Sequence, residues 1–193
     1  YSWGHTYKDN NMVITLPSPY LSKLIDSYSY NIKHNGIVFV GSTCFKYVRR
    51  LDTCFFPDDI AYYFNSMKVF CNTVLKQIKK DILYRPGREG GWKEIDSIKK
   101  LFPEMKIVVK GVLTDLMKKA RITVVDYPGT SYLEALVINV PTVLYWDHDI
   151  CFMRPEAEPY FQALRDVGIL YKGPVSAARK VNEIFDDPME WWH

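Results

Sequence analysis

Apolar and polar positions along this chain fall into two periods, and the stretch 122–146, ITVVDYPGTSYLEALVINVPTVLYW, shows both. Its first four residues are a β-branched run with no polar break, the pattern of a strand covered on both faces. Asp126 ends that run, and Pro128 and Gly129 turn the chain. Ser131 and Glu134 then match a Ser-x-x-Glu capping box, which predicts a helix over 132–138. Asn139 stands where a left-handed cap is needed and Pro141 stops the helix, so a second buried strand is expected over 142–146.

The same alternation extends to both sides. Gly36 opens an apolar strand over 37–40, followed by Gly41, Ser42 and Thr43. Pro57-Asp58-Asp59 precedes apolar residues from Ile60 to Ile78 at three- and four-residue spacing, which predicts one core-facing helix to about Lys80. A strand over 82–84 runs into the glycine-rich loop 85–92, and a helix over 93–101, a strand over 105–109 and a helix over 113–120 follow. Beyond the loop WDHDICFMRP the pattern gives a helix over 156–167 stopped by Gly168, a strand over 169–171 and a helix over 176–185. Strands alternating with helices, without hairpin signals, predict an α/β fold with a mainly parallel sheet and helices on both faces. Residues 1–35, rich in Ser, Tyr, Asn and Pro, read as a connector, because the two prolines of LPSPYL exclude a strand or helix interior there. The domain itself is expected over 36–172, with a C-terminal helix and tail over 173–193.

Composition narrows the class. With 193 residues, 48% of them hydrophobic, the chain can bury a substantial core and is not a disordered segment. No apolar run approaches the roughly 20 residues that cross a bilayer. The start YSWGHTYKDN lacks the basic-then-apolar layout of a signal peptide, so the expected location is cytoplasmic, with the inner membrane face as a second expectation. Cys44, Cys54, Cys71 and Cys151 are widely spaced and form no C-x-x-C pair, which points to reduced thiols and to no metal site. The net charge of +3 conceals an asymmetry: residues 1–124 hold 20 basic and 11 acidic side chains, and residues 125–193 hold 5 and 11. Lysines such as Lys76, Lys79, Lys99 and Lys118 fall in helical stretches and read as solvated faces, while the excess leaves room for an anionic substrate or membrane face. A nucleic-acid partner is not expected, since no basic stripe interleaves with exposed aromatics. Tyr62, Tyr63, Phe64 and Phe70 read as core.

Ligands of parallel α/β sheets sit beyond the carboxyl ends of the strands, near the switch point. Three strand ends carry candidates: 41–43, 85–91 and 126–134. Gly129, Thr130 and Ser131 at a helix start offer N–H groups and hydroxyls to a phosphate. Arg85 and the Gly87 turn offer a charged fork and close backbone approach, and Glu134 an acceptor for a ribose diol. Ser42, Thr43, Asp126, His148 and Arg154 are candidates for a donor-binding loop. Each has a structural alternative. Ser131 and Glu134 serve as caps, Arg85 pairs with Glu89 or Asp81, Asp126 forms a turn, His148 faces solvent, and Arg154 with Glu156 fixes the loop.

The run GTSYLEALVINVPTV from Gly129 to Val143 resembles the nucleotide-sugar-binding half of glycosyltransferases built from two facing Rossmann-like domains, the GT-B architecture. VDYPGTSYLEAL, NVPTVLYW, EAEPYFQALRDVGIL, Ser176-Ala177-Ala178 and Trp191-Trp192 extend the similarity to a family of bacterial surface-carbohydrate transferases, over about residue 36 to the C-terminus. The resemblance implies a Rossmann-like donor-binding domain in surface-polysaccharide biosynthesis, with Thr130 and Ser131 on the phosphate and Glu134 on the ribose. Arg85-Pro86 stands where some relatives have a His-Pro pair. The resemblance implies no cofactor and no metal, the nucleotide-sugar being a substrate. It also implies an acceptor, a glycan or a lipid-linked one, and a general base held by an N-terminal domain, so the chain reads as the C-terminal part of a longer protein, inactive alone. No catalytic residue is assigned within it. A nucleotide-sugar epimerase of the same architecture and a non-catalytic regulatory module are the alternatives.

Overall fold

The computed structural model describes residues 16–26, 36–47, 59–151 and 153–193. Six strands make one sheet: β1 (Ile37–Val40), β2 (Ile82–Arg85), β3 (Lys106–Ile107), β4 (Ile122–Val125), β5 (Thr142–Tyr145) and β6 (Leu170–Tyr171). Their order is β3-β2-β1-β4-β5-β6, and every pair is parallel. This is a Rossmann-like α/β fold. Every residue of β1, β4 and β5 is buried, as their unbroken apolar runs predict for central parallel strands. The outer strands β3 and β6 keep two residues each, so the strand expected over 105–109 is shorter than its pattern.

Helices α1 (Pro19–Asp26), α2 (Ile60–Thr73), α3 (Lys76–Lys79), α4 (Glu94–Leu101), α5 (Leu113–Lys119), α6 (Thr130–Val137), α7 (Glu158–Asp166), α8 (Pro174–Ile184) and α9 (Pro188–Trp192) flank the sheet. α2 packs on α8, and α6 packs on α5 and α1. Right-handed crossovers running in opposite directions from β1 and β4 put these two sets on opposite faces. The aromatic surplus fills the α2 side. Phe70 stacks on Tyr145 with centroids 5.4 Å apart and planes at 8°, and meets Phe39 edge-on at 5.2 Å. Tyr63 and Phe70 are core, as expected, whereas Tyr62 is 36% exposed.

Two expectations from local pattern are corrected. The single helix expected to Lys80 is two, because Val74 and Leu75 are extended. Asn182 of α8 bridges the break: its Nδ2 donates to Thr73 O at 3.0 Å and its Oδ1 accepts from the Leu75 N–H at 3.0 Å. The proposed start of that helix at Pro57-Asp58, like Cys54, lies outside the described residues. The segment read as a connector without a helix interior at its prolines contains α1, with Pro19 as its first residue, where a missing N–H costs nothing. No helix among the described residues is long and apolar enough to cross a membrane. Cys44, Cys71 and Cys151 are buried and form no disulfide among the described residues.

Candidate functional site

The register sets Val40 beside both Arg85 and Val125, so Gly41, Pro86 and Asp126 emerge side by side at the carboxyl edge. Between β1 and β4 the chain direction across the sheet reverses, and this is where a crevice forms in such folds. The three loops expected to converge therefore do lie together.

The β1 and β2 loops are zipped to each other. Thr43 Oγ1 accepts from the Arg88 N–H at 2.7 Å, and Gly90 O accepts from the Lys46 N–H at 2.9 Å. Glycine is required for this approach. A Cβ on Gly87 would stand 2.3 Å from Thr43 Oγ1, and one on Gly90 would stand 1.8 Å from the Cys44 carbonyl oxygen. Glu94 fixes the far end by accepting the Gly90 N–H at 2.8 Å, and Glu89 accepts the Lys93 N–H at 2.8 Å. Burial together with a hydrogen bond donated to neighbouring Glu89 raises the Glu94 pKa, while that same bond lowers that of Glu89.

Beneath the loops lies a buried polar floor. The Ser42 N–H donates to Tyr63 Oη at 2.9 Å, and the Tyr63 and Tyr84 hydroxyls are 3.3 Å apart. Asp126, 5% exposed, completes it. Burial pushes its carboxyl up to about 8, against hydrogen bonds from Tyr63 and from the N–H groups of Asp126 and Ser42. The Asp126 carboxyl is thus a floor group, not the turn former that its strand-end position allows. The turn is closed by backbone, with the Gly129 N–H donating to Tyr127 O at 2.9 Å. Burial also pushes the Tyr63, Tyr84 and Cys44 acids well up, so none is an ionised nucleophile near neutrality.

The capping box does not form. α6 starts at Thr130, Gly129 is its N-cap, and no side chain caps it. Ser131 is therefore inside the first turn and Glu134 in the second. Glu134 Oε1 accepts from the Tyr20 hydroxyl of α1 at 2.8 Å. Thr130 is exposed and Ser131 half-buried, both at the end of the helix where its N–H groups and positive dipole face outward. Asn139 does adopt the left-handed conformation expected, with φ 52°, and its Oδ1 accepts from Trp192 Nε1 at 2.9 Å.

Arg85 pairs with neither Glu89 nor Asp81. Its Nη1 donates to Val108 O and its Nη2 to Gly111 O, both at 3.0 Å, which fastens the segment after β3. The exposed cation of that loop is Arg88, absent from the sequence-based candidates. The only signal for it was its place in RPGREGG, one residue past the turn glycine. His148 and Arg154 lie beyond β5, outside the group of β1, β2 and β4 loops. Arg165 of α7 holds His148, with Nη1 3.2 Å from Nε2, and also pairs with Glu158. Arg154 precedes the 3-10 turn Pro155–Ala157, in the loop-fixing position that its sequence suggests. Among the described residues no cluster of three or more His, Cys, Asp or Glu side chains is placed to hold a metal ion.

Family comparison adds the class of chemistry. A family model described as LIC12162 family transferase matches residues 1–193. The chain belongs to that transferase family. No curated protein matches the chain. As a transferase, it carries at its switch point a helix start without a side-chain cap, two hydroxyls, an exposed arginine and a buried carboxyl.

Proposed function

We propose that the chain is the donor-binding domain of a GT-B glycosyltransferase in bacterial surface-polysaccharide biosynthesis. Its substrate is a nucleotide-sugar, with the phosphates at the start of α6 and the sugar over the β1–β4 switch point. The observation that carries this reading is the uncapped start of α6 at the switch point of a 3-2-1-4-5-6 parallel sheet in a transferase. Displacement at the anomeric carbon leaves charge on the nucleotide phosphate. The dipole of α6, the Thr130 and Ser131 hydroxyls and the Arg88 guanidinium would take up that charge. Arg88 replaces Arg85 in this role because the Arg85 fork already serves two carbonyls. Glu134 has one oxygen engaged by Tyr20 and keeps its second for the ribose diol. In this reading a glycan or lipid-linked acceptor and the general base come from a second, facing domain.

Thermal melting with a panel of nucleotides tests the reading. A nucleotide present at 100 times its Kd adds about 2.7 kcal/mol and raises Tm by roughly 5–10 °C. No rise with any of UDP, GDP, CDP, CMP or ADP would point instead to a module without a nucleotide ligand.

A further inference from the structure

The edge of the sheet opposite the crevice carries a second surface. Lys80 stands two residues before β2 and Met105 immediately before β3, so the segments that end there meet at the amino ends of the strands. Between them lies an open groove of about 900 Å3. Its floor is apolar: Val74 and Phe102 are buried and Met105 is half-buried. Its rims carry Leu75 and Leu101, 45% and 42% exposed. Two leucines flanking one apolar floor make a continuous patch rather than scattered exposure.

Charge at this edge is mostly of one sign. Lys76, Lys79 and Lys80 line the groove against one carboxylate, Glu104, and Lys99 and Lys100 adjoin Leu101. Among the described residues no carboxylate pairs with any of these five lysines. Lys79 lies over the Phe102 ring, 5.7 Å from its centroid, and its Nζ donates to Asn72 Oδ1 at 3.2 Å, so its stem covers part of the floor. The polar groups at the α2 end of the groove are spent within the fold. The Thr73 hydroxyl donates to Val69 O at 2.8 Å, the Thr73 carbonyl accepts from Asn182 Nδ2 and the Leu75 N–H donates to Asn182 Oδ1, both at 3.0 Å. A nucleobase, a sugar or an extended peptide brings polar groups that need directional partners once water is lost. What the edge offers instead is apolar area and positive charge, and an anionic lipid surface is recognised by those two. Lys99 and Lys100 line the adjacent depression rather than the groove, so one amphiphile held in the groove would leave them unused, whereas a layer of head groups would not.

We propose that this amino edge docks on an anionic lipid bilayer, with Leu75 and Leu101 entering the head-group layer and the five lysines set against lipid phosphates. The surface is independent of the nucleotide-sugar reading, and it leaves the crevice at the carboxyl edge uncovered.

Co-sedimentation of the whole chain with vesicles tests this, using phosphatidylcholine alone and phosphatidylcholine with about 30% phosphatidylglycerol, at about 0.15 M salt. The mixed vesicles should bind at least about tenfold more tightly. Reversing two charges, in Lys76→Glu with Lys80→Glu, should weaken that binding by at least about tenfold, at roughly fivefold per lysine. The same reversal at Lys23 and Lys172, exposed and outside this edge, should change it by less than about threefold. Leu75→Ser with Leu101→Ser leaves the charge unchanged and should still weaken binding about threefold to tenfold. All six side chains are exposed, so each double variant should keep the wild-type Tm to within about 2 °C, which separates lost docking from lost folding. Equal binding to both vesicles, or an equal loss in the Lys23 and Lys172 variant, overturns the docking edge. So does a leucine variant that binds like wild type, since net charge alone then explains the attraction. No binding to either vesicle also overturns it, and a salt-sensitive complex with polyglutamate, lost in the Lys76 and Lys80 variant, would then assign the edge to an acidic polypeptide.

Discussion

Asp126 keeps a carboxyl group out of water between two tyrosines and a backbone N–H, and stability should register this through pH. Its pKa is raised from 3.8 to about 8 on folding, so between these values the folded state binds more protons than the unfolded state. Stability from this group is then complete below about pH 4 and falls as pH rises towards 8. Wild type should lose on the order of 5–10 °C in Tm between pH 5 and 9 beyond what Asp126→Asn loses. Equal losses would mean that the carboxyl is solvated. The two arginines of the β2 loop separate in the same way. Arg85→Ala strips the Val108 and Gly111 carbonyls of their donors and should lower Tm by about 3–8 °C, while Arg88→Ala, at an exposed side chain, should shift it by less than about 2 °C. That an arginine ends β2 is plain from the sequence. That its partners are carbonyls 23 and 26 residues further on is not, because loop-to-loop contacts leave no periodic trace.

Helix ends show where local pattern stops being informative. Apolar spacing from Ile60 to Ile78 is continuous, yet the helix breaks at Val74, because a side chain more than a hundred residues away satisfies both backbone groups that the break frees. Asn182→Ala should therefore cost about 1–3 kcal/mol in denaturant unfolding, and Asn182→Asp, which keeps the acceptor for Leu75, should fall between. A cost near zero would show that the break forms without its bridge. Ser131 and Glu134 have the spacing of a capping box but the helix begins one residue before the serine, with Gly129 as cap, which sets both side chains two positions too deep to use it. Asn139 was legible because a left-handed backbone is a local demand. Its bond to Trp192 was not. Asn139→Ala should thus be less stable than Asn139→Gly by about 1 kcal/mol, since glycine loses only the hydrogen bond whereas alanine loses it and meets the strain of φ 52°.

At the scale of the whole molecule, the α/β class, the parallel sheet and the meeting of the three strand ends all follow from alternation and right-handed crossover. The sheet order needed the structure, since a buried run such as ITVV looks the same whichever neighbour it has. What topology does for function is to bring Thr43, Arg88, Asp126 and Ser131, carried on three separate segments, to one edge of the sheet. The central claim is that this edge binds a nucleotide phosphate through the start of α6 and Arg88. Titration calorimetry with UDP, GDP, CDP, CMP and ADP against wild type, Ser131→Ala, Arg88→Ala and Arg85→Ala tests it most directly. At least one nucleotide should bind wild type, about tenfold more weakly to Ser131→Ala and Arg88→Ala, and within twofold of wild type to Arg85→Ala. Binding of equal strength to wild type and to both crevice variants, or no binding by any nucleotide, would contradict the account.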